Sequence, residues 1–371
     1  MTTFSWLLGD TRRHKYIRNR AQYRYCFAFS NRPFQGVTMQ RMSPAISLRQ
    51  AVVKTSVFAI TMVACAASMA SENGLQRYSP GVGGSDMTAP VVPGWYWQTA
   101  VVSYKATQSN GNDGKPVSNP AFSSLSADVS TTAALNRLTY VGTQRVLGAN
   151  LGFTIMQPIG QGKGTFTAVP KVTGIPAYDY AFAAGAAMVN GQSGKTTGMG
   201  DLEFGPLFHW EIGDHQAANF VPTIVLPTGD YDVTRRLNMG YGNFYTFRPS
   251  TQYAYIGDGW DVGGRAVLSF NTRNKANGYY SGNMFNLDWQ AMKFVTEDVR
   301  VGLQGYMVRQ LSRDTCKAGA GDTLDCSQSA STMAAVATGN KTSVDAVGPA
   351  VAWLKNGGDF LLEGKFMKEF N

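Results

Sequence analysis

The chain has 371 residues, 44% hydrophobic and only 15% charged, with 41 glycines and 12% aromatics, which excludes disorder, since disordered chains are charge-rich and aromatic-poor. Mean hydropathy is −0.17, and beyond the leader no uncharged apolar run reaches the length of a membrane helix, so a helical membrane bundle is excluded. The net charge of +9 lies entirely in residues 1–70, where ten Lys or Arg face Asp10 alone, while residues 71–371 are neutral; a nucleic-acid binder would carry that charge in its folded part.

Residues 1–38 read as an over-long N-terminal extension, with Met39 or Met42 as the natural start. A DNA-binding arm there would conflict with secretion. Residues 39–70 read as a secretory signal peptide. Arg41, Arg49 and Lys54 precede an apolar stretch that closes on Ser68-Met69-Ala70, small residues at −3 and −1 of a cleavage site. That stretch is short for a transmembrane anchor. Met62-Val63-Ala64 before Cys65 fits a lipoprotein site poorly. Cleavage after Ala70 leaves a Pro/Gly-rich segment, 71–94, periplasmic or lumenal, ahead of a barrel at 95–371.

The mature chain alternates with period two, the mark of strands with one apolar face. Leu202, Phe204, Pro206, Phe208, Trp210 and Ile212 oppose Glu203, Gly205, Leu207, His209 and Glu211. Trp260, Val262, Gly264, Ala266, Leu268 and Phe270 oppose Asp261, Gly263, Arg265 and their successors. Eleven strands follow in order, at 95–105, 133–141, 145–157, 200–212, 217–226, 243–256, 260–272, 283–295, 299–311, 343–354 and 359–370. Their lengths cluster near the 9–11 residues of a tilted membrane-crossing strand.

The gaps alternate without exception. Long ones (106–132, 158–199, 227–242, 273–282, 312–342) are interleaved with tight ones at Gly142-Thr143-Gln144, 213–216, Gly257-Asp258-Gly259, Thr296-Glu297-Asp298 and 355–358. Outer-membrane barrels have this rhythm of long outer loops and short periplasmic turns. Trp95, Trp97, Trp210, Trp260, Trp289 and Trp353 fall near strand ends, as interface girdles require. The expected fold is therefore all-β: a transmembrane antiparallel up-and-down β-barrel of about twelve strands, eleven of them visible. Bacterial single-chain barrels have an even count, so the parity predicts either a closing strand beyond Asn371 or a count that is one off near the N-terminus.

These residues carry a resemblance. Tyr78-x-Pro80-Gly81, Pro93-Gly94-x-Tyr96, Thr197-Gly198-Met199-Gly200-Asp201, Pro206, Pro227-Thr228-Gly229-Asp230-Tyr231-Asp232, Tyr280-Ser281-Gly282, Gly302-x-x-Gly305-Tyr306-x-x-Arg309-Gln310 and Gly348-Pro349 occur in order from about Glu72 to Asn371. With that order and spacing the chain resembles the outer-membrane transporter-like family associated with the meta-cleavage pathway of phenol degradation. Members typically continue past a Lys-Glu-Phe stretch, here 368–370, into a last strand. The resemblance implies a channel in the outer membrane of a Gram-negative bacterium, often linked to aromatic or hydrophobic compounds.

A lumen of this size is narrow and open to obstruction by loops or by residues 74–94. The residues that parity turns inward are Glu203, His209, Glu211, Arg248, Asp261, Arg265, Asp288, Arg300, Gln304, Glu363 and Lys365. Salt-bridge bracing and a weakly selective solute path are the two readings. The small residues Ala346, Gly348, Ala350 and Ala352 leave space. The segment 177–198 either folds into the mouth as a constriction or apolar capture site or stays a mobile flap, and Pro227 to Asp232 sets a turn, with ligand contact as the weaker alternative. Cys316 and Cys326, an even pair in a secreted chain, suggest a disulfide; metal binding is the weaker alternative. Gly194-Lys195-Thr196 lacks the upstream glycine of a phosphate loop. Asn110 to Gly114 reads as a flexible polar loop before a calcium site. A hydrolase would need His209 or His215 beside a serine nucleophile. The expectation is a passive channel for small, aromatic or hydrophobic molecules, with no catalytic residues, cofactor, metal or nucleic acid. Its partners are outer-membrane lipid and a small solute. A structural or surface-interaction barrel with a closed lumen is the alternative.

Overall fold

The computed structural model describes residues 2–7 (backbone only), 76–89, 91–107, 116, 118–328, 336, 339, 341–355 and 360–370. Among them are eleven staves. They are β1 (Gly94–Ala106), β2 (Phe122–Val146), β3 (Ala149–Pro170), β4 in two pieces (Gly194–Met199 and Glu203–Ile212), β5 (Gln216–Val225), β6 (Thr246–Gly257), β7 (Trp260–Asn271), β8 (Met284–Phe294), β9 (Val299–Gln310), β10 (Ser343–Lys355) and β11, again in two pieces (Phe360–Lys365 and Lys368–Phe370). Each pairs antiparallel with the next, and the sheet curls as an up-and-down barrel wall. The seam between β11 and β1 is filled by a strand over Thr2–Leu7, parallel to both. It occupies the place that parity assigns to a twelfth strand. Cleavage after Ala70 would remove it. The signal-peptide reading of 39–70, and the extension reading beyond residue 7, fall outside the described residues.

The wall is inverted relative to a soluble protein. Asn286, Asp288, Arg300 and Gln304 are 0% exposed, while Leu303 and Val351 are about half exposed on the opposite face. Apolar residues outward and polar residues inward suit a solvent of lipid. Trp95, Trp97, Trp210, Trp260 and Trp353 gather toward the ends joined by short turns, where Trp95 packs on Tyr140 with ring centres 4.9 Å apart. Trp289 departs from that expectation: it sits mid-strand in β8, paired with Gly305. A Cβ on Gly305 would lie 2.5 Å from that indole.

The second and third staves run longer than anticipated. Gly142-Thr143-Gln144 is a bulge within the β2–β3 ladder, with a register shift between Val141 and Arg145. The turn lies at Leu147-Gly148, both with positive φ (53° and 78°). Asp258-Gly259 makes the same kind of turn between β6 and β7 (53° and 76°), the two-residue hairpin geometry matched to strand twist. At the other end β2 begins at Phe122 and β3 reaches Pro170. At about 3.4 Å per residue, the 22 residues of β3 exceed any membrane crossing, so this hairpin projects beyond the wall. Its inner face carries α1 (Pro176–Asn190), whose Ala186 and Val189 pack with Ala127, Val129, Phe166 and Ala168.

Candidate functional site

The lumen is occupied by residues 76–89. This strap contains a single short helical turn, Ser85–Met87, so its backbone donors need outside acceptors. The wall supplies them. Asp288 accepts the N–H of Gly81 and of Gly83, each at 2.8 Å, and the Tyr78 hydroxyl at 2.6 Å. Glu363 accepts the Ser85 N–H at 2.7 Å. Lys365 donates to the Gly83 carbonyl at 2.7 Å, and Gln252 to that of Met87 at 2.7 Å. The approach is so close that a Cβ on Gly84 would lie 2.2 Å from Glu363 Oε1. Irregular backbone at membrane depth is tolerated where protein groups satisfy it in this way.

Around the strap the wall is braced by charge. Arg300 Nη1 lies 2.6 Å from Asp261, with neither side chain exposed. Lys365 Nζ is 3.1 Å from Glu363. Gln304 donates to Glu363 at 2.7 Å, and Gln290 to Asp261 at 2.6 Å. Asp86 of the strap meets Arg265 at 2.8 Å.

Beside the strap a cavity of about 420 Å³ follows the β1–β5 wall and reaches across to β6–β9, where Arg248, Gln252, Val267, Met284 and Tyr306 also line it. Its wall residues include Val102, Ala133, Leu135, Met156, Leu207 and Val221, and Val82 of the strap faces it. It runs from Tyr96 near the inner end of β1 to Tyr104 near the outer end, about 27 Å at ~3.4 Å per residue. That matches the height of a membrane barrel's apolar band. Leu237, Met239 and Tyr241 cover its outer end.

The eleven residues turned inward by parity divide into groups. Glu203, Arg248 and Arg265 line the cavity. Asp261, Asp288, Arg300, Gln304, Glu363 and Lys365 hold the strap or brace the wall behind it instead of lining the cavity. His209 is buried and bonds Asn219 Oδ1 through Nδ1 at 2.7 Å, an amide and not a serine hydroxyl. Glu211 lies exposed at the inner rim. The small residues of β10 do not leave open space. Ala350 and Ala352 pack with Met292, Leu361 and Ala89 of the strap, and Ala346 with Tyr306 and Met367. Alternation missed Arg137, whose strand has mixed faces, and the strap's own Tyr78 and Asp86. The Gly-rich run around Asp86 was the available signal, since buried backbone without side chains requires close acceptors.

The recurrent motifs serve loop geometry. Asp230 accepts the Met199 N–H at 2.7 Å, and a Cβ on Gly198 would meet the Asp230 carboxylate at 1.9 Å. Asp201 accepts the Gly229 N–H at 2.9 Å and pairs with Arg77 of the strap at 2.9 Å. The segment 177–198 forms α1 and the first piece of β4, neither a loose flap nor a phosphate loop. Cys316 and Cys326 are bonded to each other. Asp325 is close to both sulfurs, which the disulfide withdraws from metal ligation. Asn110 to Gly114 lies outside the described residues.

Likeness to known proteins follows the same line. The crystal structure of an outer membrane channel from Pseudomonas putida F1 superposes with a TM-score of 0.51 over 74% of this chain and 87% of that one, at 15% identity. No curated protein matches the chain. Residues 107–371 match the family described as "Putative MetA-pathway of phenol degradation". With that match spanning most of the sequence and the barrel built as an inverted, polar-cored wall, the chain belongs to this family, and its fold is that of a Gram-negative outer-membrane β-barrel.

Proposed function

We propose that the protein is a passive outer-membrane channel through which small, aromatic or hydrophobic molecules move along the cavity beside the strap. The carrying observation is the cavity itself: apolar side chains interspersed with polar and charged ones, reaching from the inner to the outer part of the barrel. Small-molecule sites have this size and concave form. The family name and the channel from Pseudomonas putida F1 support the reading. No chemistry is assigned to the site, and residues 39–70 serve as the export signal in this reading.

A closed structural or surface-interaction barrel is the second reading. The strap's many wall contacts and the cover of Leu237 and Met239 favour it. Planar-bilayer recording on the folded protein separates the two. Discrete current steps that aromatic solutes such as p-cresol interrupt are expected for a channel. Silent bilayers containing folded barrel would contradict it.

A further inference from the structure

The charged groups around the cavity are unevenly paired. Among the described residues it is lined by four arginines (Arg77, Arg137, Arg248 and Arg265) and three acids (Asp86, Glu203 and Glu369). Three of the arginines have a carboxylate in contact. Arg77 lies 2.9 Å from Asp201, Arg248 2.5 Å from Glu203, and Arg265 2.8 Å from Asp86. Glu369 is engaged by the Tyr306 hydroxyl. Arg137 has no comparable partner. Its nearest carboxylate is Asp86 at 3.9 Å, already held by Arg265 and by the Gly84 N–H. Its other contacts are long: Gln98 Oε1 at 3.4 Å and Met156 Sδ at 3.8 Å. The side chain is 25% exposed, toward the cavity it lines.

A guanidinium offers five donors in a planar fork and keeps its charge at any working pH. One held this loosely in a confined, largely apolar space favours an anion that brings two oxygens in the same plane. The neighbouring wall at Leu135, Met156, Leu207 and Val221 suits a hydrocarbon body. We infer that Arg137 and this apolar wall form a binding site for small amphiphilic monocarboxylates, with the carboxylate on the guanidinium and the aromatic or aliphatic body on the wall. The inference rests on reading the cavity as a solute site. It adds a preference for anionic solutes over neutral and cationic ones of the same shape.

Three probes of one shape test it on the folded barrel in detergent: 4-phenylbutyrate, 4-phenylbutanamide and 4-phenylbutylammonium. Calorimetric titration is expected to rank them in that order. Arg137→Gln is expected to weaken phenylbutyrate about tenfold and flatten the ranking, while Arg137→Lys keeps most of it. Heat-dependent gel mobility checks that each variant is folded, and the wild-type ranking alone suffices if a variant is not. Equal binding of the three probes, no binding at all, or an unchanged ranking in folded Arg137→Gln would overturn the site. Parallel bilayer recordings keep the two readings apart. Current without discrimination among the probes removes the site and leaves the channel. Ranked binding without current leaves the site and removes the channel.

Discussion

Asp288→Ala is the sharpest perturbation of the strap. The carboxylate is fully buried and accepts three hydrogen bonds from residues 78–83: the Tyr78 hydroxyl at 2.6 Å and the N–H groups of Gly81 and Gly83, each at 2.8 Å. Each buried donor left without an acceptor costs about 1–3 kcal/mol. Lumenal water can enter the space the side chain leaves, which places each loss near the lower end. The total is about 3 kcal/mol, or more than a hundredfold in the docked-to-released ratio at ~1.4 kcal/mol per decade. Backbone exchange of residues 76–89 should therefore quicken by about that factor, while exchange in the wall strands stays slow. Single-channel current should rise as the strap leaves its wall. Asp288→Asn keeps one carbonyl oxygen and should fall between. Strap exchange in folded Asp288→Ala that equals the wild type would refute the latch.

Three other outcomes follow from local geometry. Gly84→Ala places a Cβ 2.2 Å from Glu363 Oε1 and 2.7 Å from Lys365 Nζ, so it should displace the strap and raise conductance without preventing barrel formation, checked by recording and gel mobility together. Cys316 and Cys326 close a loop of ten residues' separation; their reduction should raise protease cutting in 312–342, with about 2–3 kcal/mol of loop restraint lost in a chain-entropy picture, and leave the wall's heat resistance unchanged. Asp179 accepts the Thr173 N–H, then its hydroxyl, then the Gly174 N–H, and these bonds hold its pKa below the ordinary carboxylate value. A depressed folded pKa means that the bonds support the start of α1 above the unfolded value of about 4 and are lost as pH falls through the folded one. Proteolysis at the start of α1 should rise on acidification in the wild type and be pH-independent over that range in Asp179→Asn.

Most of the eleven staves were legible because lipid imposes alternation on them: where Asn286, Asp288 and Gln290 turn inward, Phe285, Leu287 and Trp289 must turn outward. The limits of β2 and β3 were not legible. Gly142-Thr143-Gln144 has the composition of a turn and makes a bulge, whereas the turn places Leu147 at a φ of 53°, where turn chemistry favours Gly or Asn. The outer extension Phe122-Ser123-Ser124-Leu125 lacks alternation because it stands beyond the membrane. The helix α1 lacks a side-chain N-cap bond, the usual start signal. Inward charges were readable from parity, but their roles depended on where residues 76–89 lie. Asp288 and Tyr78 are 210 positions apart, a separation that no local pattern bridges. Arg137 escaped for a related reason: its importance lies in the partners its neighbours have already taken.

Current through single folded barrels in a planar bilayer, with folding established by heat-dependent gel mobility, tests the side path most directly. Small, stable steps that grow when Asp288→Ala frees the strap are the expected result. Folded barrels that stay silent in both forms would mean that the lumen is closed and that the cavity beside the strap leads nowhere.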